Sequence, residues 1–229
     1  MRAILLAAGC GTRLRPLTES IPKCLVPIKE KPLLDIWLKN LTMAGIGPFL
    51  INTHYLAKQV ETYVRSSAYV TKVGLVHEPK LLGTAGTLIA NHDFFAGEDG
   101  LLIHADNYCL ADFKAFINAH QNRPAECLMT MMTFLTDSPS SCGIIEVDNK
   151  GIVIGFHEKI KSPPGNMANG AIYLLSSELL RILSTEMSSA QDFSTEVIPQ
   201  FIGRIFNHQT NQTFIDIGTP ETYQKANAT

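Results

Sequence analysis

Residues 1–27, MRAILLAAGCGTRLRPLTESIPKCLVP, decide how the rest of the chain is read. Ile4, Leu5 and Leu6 form an apolar run without polar alternation, the pattern of a parallel strand covered on both faces. Gly9-Cys10-Gly11 breaks the run, and its two glycines let the backbone turn sharply and come close to a ligand. Arg13, Arg15 and Lys23 follow, with Pro16, Pro22 and Pro27 stiffening the chain between them. A buried strand that ends in a glycine turn with cations nearby makes a polyphosphate cradle. Backbone N–H groups line it, and Arg and Lys carry most of the countercharge. Two other phosphate loops are excluded. No Gly-Lys-Ser/Thr occurs, so there is no P-loop, and GxGxxG fails because Leu14 stands where the third glycine belongs.

Working outward, the whole chain has the composition of a globular protein. Its 229 residues are 45% apolar and 17% charged, enough to bury a real core in one domain. A net charge of −2 implies no general attraction to nucleic acid or anionic membrane, so the cations near Gly9 are a local feature suited to a small anion. The five cysteines are odd in number and show no CxxC pair, which argues against a disulfide framework and a zinc site. No signal peptide and no apolar run of membrane length is read, so a cytoplasmic protein is expected.

After the loop, strand and helix patterns alternate. Pro32 precedes a helical pattern from Leu33 that stops at Gly45, and 48–53 reads as a strand. A helix over 56–64 and a strand over 73–77 follow. Gly83 to Gly86 opens another helix to about Ala90, and 101–104 is a buried strand ending at Asp106. Asp112 caps a helix through His120. That order predicts an α/β fold, Rossmann-like, with a mainly parallel sheet flanked by helices and ligands beyond the strands' carboxyl ends. The second half changes character, with strands over 128–135, 143–147, 151–157 and 171–175 and a hairpin turn at 148–151. Helices over 178–183 and 195–202, a strand over 214–218 and a terminal helix from Thr219 complete the mixed sheet.

The string Gly9-x-Gly11-Thr12-Arg13-x-x-Pro16-Leu17-Thr18-x-x-x-Pro22-Lys23 closely resembles the signature of the sugar-1-phosphate nucleotidylyltransferases. The resemblance extends through 82–86, Asp106, Glu158-Lys159, Asn169-Gly170 and 216–220. It implies the nucleotide-diphospho-sugar transferase fold as a single domain. A nucleotide-binding half spans about 1–125 and a sugar-phosphate half about 126–229. The left-handed β-helix of some relatives is not expected. The reaction implied is in-line attack of a sugar 1-phosphate oxygen on the α-phosphorus of a nucleoside triphosphate, with Mg²⁺ offsetting the charge.

The resemblance also assigns residues. Arg13, Lys23 and Asp106 are the catalytic set, Arg13 because its planar fork pairs two phosphate oxygens at once. Leu6, Ala8, Gly9, Gly11, Thr12, Arg13, Glu78, Gly83 and Thr84 are expected at the nucleotide. Asn107, Gly143, Glu158, Lys159 and Asn169 are expected at the sugar phosphate. Asp106 and Asp216 are the expected metal ligands, since a carboxylate among the isoleucines around Asp216 is costly unless a cation compensates it. Asp192 reads as a helix cap, and His54, His77, His104 and His157 are assigned no catalytic role. Glu78 could accept from the N1–H and N2–H₂ of guanine, which favours GTP. Leu82-Gly83-Thr84-Ala85-Gly86 also resembles the mannose-1-phosphate and heptose-1-phosphate guanylyltransferases, which implies a mannose- or heptose-type acceptor. CTP, UTP or dTTP in the same reaction, or a catalytically silent nucleotide-sugar-binding module, are the alternatives. Small-molecule substrates, no nucleic acid or membrane partner, and a possible homodimer complete the expectation.

Overall fold

The computed structural model describes all 229 residues. In chain order the first elements are β1 (Arg2–Leu6), β2 (Pro27–Ile28), β3 (Lys31–Pro32), α1 (Leu33–Met43), β4 (Phe49–Thr53), α2 (Ala57–Ser66) and β5 (Val73–His77). Next come α3 (Thr84–Ala90), β6 (Gly100–His104), β7 (Asn107–Cys109), α4 (Phe113–Gln121), β8 (Met129–Leu135), β9 (Gly143–Val147) and β10 (Val153–Glu158). The last are β11 (Met167–Leu175), α5 (Ser177–Glu186), β12 (Ile205–Gln209), β13 (Phe214–Asp216) and α6 (Pro220–Ala228). The α/β class expected from the strand–helix alternation is present, with mixed strand pairing.

The chain divides into two compact units, each assembled from separate stretches. The first comprises Met1–Leu81, Ile103–Ala111 and Gln212–Thr229, and the second Leu82–Leu102 and Asp112–Asn211. A functional division near residue 125 therefore does not coincide with how the chain compacts.

In the first unit β1 pairs with β4 in parallel, from Ala3↔Phe49 to Leu6↔Asn52, and β4 with β5, from Phe49↔Val73 to Thr53↔His77. Parallel register sends the ends of all three strands to one edge, where Leu6, Asn52 and His77 emerge. α1 buries Leu33, Leu34, Trp37, Leu38 and Leu41, each stabilising by about 1.5–3 kcal/mol relative to exposure. The helix ends in a Schellman motif, with Ile46 N–H donating to Leu41 O at 2.9 Å and Gly45 N–H to Thr42 O at 3.0 Å. β13 returns antiparallel to β7, and α6 carries a Thr219–Thr222 capping box. Tyr223 Oη donates to Pro27 O at 3.0 Å and ties α6 to the N-terminal segment.

The second unit is a mixed ladder. β8 pairs antiparallel with β11 and parallel with β12, and β9 and β10 form a hairpin. Asp148 Oδ1 shapes its turn by accepting from Lys150 N–H at 2.9 Å and Ile152 N–H at 2.8 Å. Asp112 caps α4 as expected, accepting from Lys114 N–H and Ala115 N–H.

Four local differences from the sequence reading have physical causes. The helix expected over 195–202 is a wide π-type turn, Phe193–Val197, running into a tight turn at Ile198–Phe201. Pro199 lacks an N–H and denies an α-helix its hydrogen bond there. β12 was unexpected because Asn207, His208 and Gln209 show no alternation, and Thr133 Oγ1 satisfies Asn207 Oδ1 at 2.6 Å. β11 starts at Met167, earlier than its apolar run, because a bulge between Asn169 and Tyr173 absorbs the small residues. β7 is only three residues long and takes its partner from β13, over a hundred positions away, which local pattern does not signal.

All five cysteines are free, and burial pushes the Cys24 and Cys109 thiols up to about 12. No helix is long and apolar enough to cross a membrane.

Candidate active site

Within the first unit, three distant stretches deliver one charged cluster. Lys23 sits on a short turn after Pro22, Asp106 just past β6, and Asp216 at the end of β13. The β13–β7 register sets Asp216 opposite Asn107, the neighbour of Asp106. Lys23 Nζ lies 2.7 Å from Asp106 Oδ2 and 3.7 Å from Asp216 Oδ1. The lysine side chain is 7% exposed, whereas the two carboxylates are 40% and 50% exposed. An enclosed ammonium is tolerable only because it is paired. Burial pushes the Asp106 carboxyl up, but the charge of Lys23, then His104 and the Lys23 hydrogen bond, hold it below the usual carboxylate range. Two open carboxylates sharing one cation present hard oxygen donors, a chemistry that would suit Mg²⁺.

The glycine turn adjoins this cluster. Gly11 has φ +61, Thr18 Oγ1 donates to its carbonyl at 2.7 Å, and a Cβ there would stand 3.3 Å from Lys23 Cβ. Thr12 and Arg13 are exposed on the turn that follows, with Leu14 buried as its anchor. Gly218 lets the Arg13 guanidinium lie against it, since a Cβ would be 3.1 Å from Nη1 and 3.2 Å from Cζ. At the strand exit Leu6 O accepts from Ala105 N–H at 3.0 Å, Ala8 is buried, and Gly9 is exposed. Asn107, expected at the sugar phosphate, lies in this first unit, where its carbonyl accepts from Trp37 Nε1 at 2.9 Å.

Glu78, expected at the base, is enclosed just past the end of β5. It is 3% exposed, and Oε1 accepts from Asn52 Nδ2 at 2.9 Å. Asn52 Oδ1 in turn accepts from Ala7 N–H at 2.7 Å. The carboxylate thus braces the end of β1 through Asn52. His54 Nδ1 donates to Glu78 O at 2.7 Å, a structural role like that expected of the strand-end histidines. Sequence reasoning missed Asn52, although an Asn inside the buried run 49–53 signals a polar group that must find a partner.

The second unit holds the remaining expected residues. Gly83 has φ +83, and a Cβ on it would collide with Gln191 O at 2.3 Å. Thr84 Oγ1 accepts from Phe193 N–H at 2.7 Å. The space above Gly143 is taken by its own neighbours, a Cβ there standing 2.6 Å from Glu158 Oε2 and 2.8 Å from the Phe156 ring. Lys159 Nζ lies 3.0 Å from Glu158 Oε1. Asn169 Nδ2 donates to Tyr173 Oη at 2.7 Å. Asp192 Oδ1 accepts from Thr195 N–H at 2.8 Å, the cap expected of it, although the turn it caps is not an α-helix. Tyr173 was also missed, and its signal was a phenol in the fully buried run 172–175, where the hydroxyl needs a partner.

Residues 2–229 match the family model for nucleotidyl transferases. The mannose-1-phosphate guanylyltransferase catalytic subunit beta of Drosophila melanogaster is 31% identical, over 97% of this chain and 60% of its own length. The UTP–glucose-1-phosphate uridylyltransferase of Synechocystis is 28% identical over 99% of this chain and 62% of its own. This chain thus spans about three-fifths of those two curated relatives. The D-glycero-alpha-D-manno-heptose 1-phosphate guanylyltransferase of Aneurinibacillus thermoaerophilus is 28% identical, over 99% of this chain and 96% of its own. Among solved structures, HddC from Yersinia pseudotuberculosis complexed with GMP-PN matches with a TM-score of 0.83 at 28% identity. It covers 99% of this chain and 98% of that one.

Proposed function

The chain belongs to the nucleotidyl transferase family, and we propose that it moves a nucleotidyl group from a nucleoside triphosphate to a sugar 1-phosphate. A phosphate oxygen of the sugar attacks the α-phosphorus, the α–β bridging bond breaks, and its electron pair leaves on pyrophosphate. Such a reaction asks the protein for positioning and charge more than for covalent chemistry. The observation that carries this reading is the Lys23 ammonium, enclosed against the glycine turn and paired to two half-open carboxylates.

Arg13 grips the outer phosphates with its planar fork, backed by Gly218. Lys23 sets a fixed positive charge beside the reacting phosphate, where charge builds in the transition state. Asp106 and Asp216 hold Mg²⁺, which when bound neutralises phosphate charge. In the second unit Lys159 takes the sugar phosphate, and Glu158 and Asn169 take sugar hydroxyls.

GTP with a manno-configured hexose or heptose 1-phosphate is the favoured pair, on the names of two relatives and the GMP-PN complex. The second reading is the same transfer with UTP, CTP or dTTP. It gains from the burial of Glu78, one of whose oxygens is already engaged by Asn52, and from the uridylyl relative. Pyrophosphate release across the five common triphosphates, each with a panel of sugar 1-phosphates and Mg²⁺, separates them. Turnover with GTP and a manno-type acceptor supports the favoured pair, and turnover with a pyrimidine triphosphate alone moves the assignment to the second reading. Nucleotide binding without turnover on any acceptor defeats the transferase reading.

A further inference from the structure

The side-chain amide of Asn169 is held at both ends. Strand β11 slips register against β8 between Asn169 and Tyr173, and inside that bulge Ala171 adopts φ +53. The bulge turns the Ala171 N–H onto Asn169 Oδ1 at 2.9 Å. A backbone N–H only donates, so the amide oxygen must face the bulge and Nδ2 must face Tyr173 Oη, 2.7 Å away. One of the two Nδ2 hydrogens goes to the phenol, and the other remains for a ligand.

Tyr173 is itself fixed. It is fully buried, and its ring centroid is 4.6 Å from that of Phe193. Burial also pushes the phenol well above its ordinary range, so it stays a neutral dipole. The 191–194 segment is bonded on its other side to the glycine loop. Phe193 N–H donates to Thr84 Oγ1 at 2.7 Å, and Gln191 O accepts from Ala85 N–H at 2.9 Å. A hydrogen-bonded and packed chain thus runs from Thr84 to the Asn169 amide, all within the second unit.

We propose that Tyr173 is a positioning residue. It sets the Asn169 amide as a hydrogen-bond donor to a sugar hydroxyl oxygen, and the 191–194 segment ties that setting to the Gly83–Thr84 loop. The identity of the ligand rests on the nucleotidyl-transfer reading, whereas the fixed amide does not. Tyr173→Phe removes the hydroxyl and keeps the ring. The KM for the sugar 1-phosphate should rise about tenfold, the loss of one oriented hydrogen bond, with kcat and the triphosphate KM within about twofold. In an Asn169→Ala background the same change should add less than about twofold, because Tyr173 acts through Asn169. An unchanged sugar KM, or a full effect in the Asn169→Ala background, overturns the proposal.

A second measurement needs no turnover. The Asn169 side-chain NH₂ resonances, assigned with Asn169→Asp, should be two well-separated, slowly exchanging protons. The proton bonded to the phenol should move toward the free-amide shift and exchange faster with solvent in Tyr173→Phe, and the pair should shift in Thr84→Val. No change in Tyr173→Phe defeats the positioning role, and no change in Thr84→Val defeats the link to the loop. If the wild type transfers nothing on any acceptor while these resonances respond as expected, the reaction reading falls and the positioning role stands.

Discussion

The Lys23 cluster and the Asn169 cluster hold functional side chains by opposite means. Around Lys23 the holding force is charge, with one enclosed ammonium between two carboxylates that remain about half exposed. Around Asn169 it is a neutral network, with a buried phenol and a backbone N–H pinning both ends of one amide. Charge at short range is strong and tolerant of angle, so it suits a place where partners exchange as a polyanion arrives. Neutral hydrogen bonds demand direction, so they suit a place that must tell one hydroxyl arrangement from another. Under the proposed function, the first cluster would serve rate and the second recognition.

The widest test of that contrast is Lys23→Met. We expect kcat/KM to fall about a thousandfold, roughly 4 kcal/mol of transition-state stabilisation. The urea midpoint should barely move, because the carboxylates left behind can be solvated. A large loss of stability with little loss of rate would make the cluster a structural brace. Next, Asp216→Asn should cost about a hundredfold in kcat/KM and raise the Mg²⁺ concentration needed for half-maximal pyrophosphate release. An unaltered Mg²⁺ requirement would remove Asp216 from the metal site.

Smaller effects sharpen the boundary between rate and recognition. Gly218→Ala places a methyl against the Arg13 guanidinium. It should raise the triphosphate KM about fivefold with kcat preserved, as expected for lost uniform binding. Glu78→Gln keeps an acceptor for Asn52, so the preference among triphosphates should stay within about twofold in competition assays. A tenfold change would return Glu78 to base recognition.

The smallest effect is a pH slope in the second unit. His120 is buried, with Nδ1 2.8 Å from Thr130 Oγ1 and Nε2 3.4 Å from Asp99 Oδ2. Burial pulls its pKa below the ordinary 6.5, the nearby Asp99 carboxylate opposes that pull, and the charge of Arg123 adds to it. A depressed histidine pKa means that the unfolded chain binds the proton first, so stability should decline as pH falls below 6.5. Asp106 in the first unit, also depressed, should add a further loss only below 3.8. Thermal midpoints of wild type and His120→Gln at pH 7.5 and 5.5 check this, with a flatter slope expected for the variant.

Much of the fold was legible because its elements announce themselves locally. Pro32 and Gly45 bracket α1, Asp112 caps α4, and Thr219 with Pro220 starts α6. The elements that escaped were those whose partners lie far away in sequence, such as β7, which owes its existence to β13, and β12, which owes its own to β8. Among site residues Lys23, Asp106 and Asp216 were legible as residue types in a motif, and the structure brings them together. The surroundings of Glu78 were not legible, because a carboxylate at a strand end looks the same whether it faces a ligand or an internal amide. The structure pairs it with Asn52, a contact that no local pattern signals.

The sequence by itself determined the class of fold, the glycine turn with its cations, and the residue types that converge on phosphate chemistry. Those are properties of short stretches, set by periodicity, backbone freedom and charge. Tertiary structure alone decided that Lys23 is enclosed and its carboxylates open, that Glu78 pairs with Asn52, and that the Asn169 amide turns its nitrogen to the Tyr173 hydroxyl. The reason is that orientation and burial depend on groups from distant parts of the chain. A carboxylate is a ligand, a brace or a counter-ion according to what the fold sets within 3 Å of it.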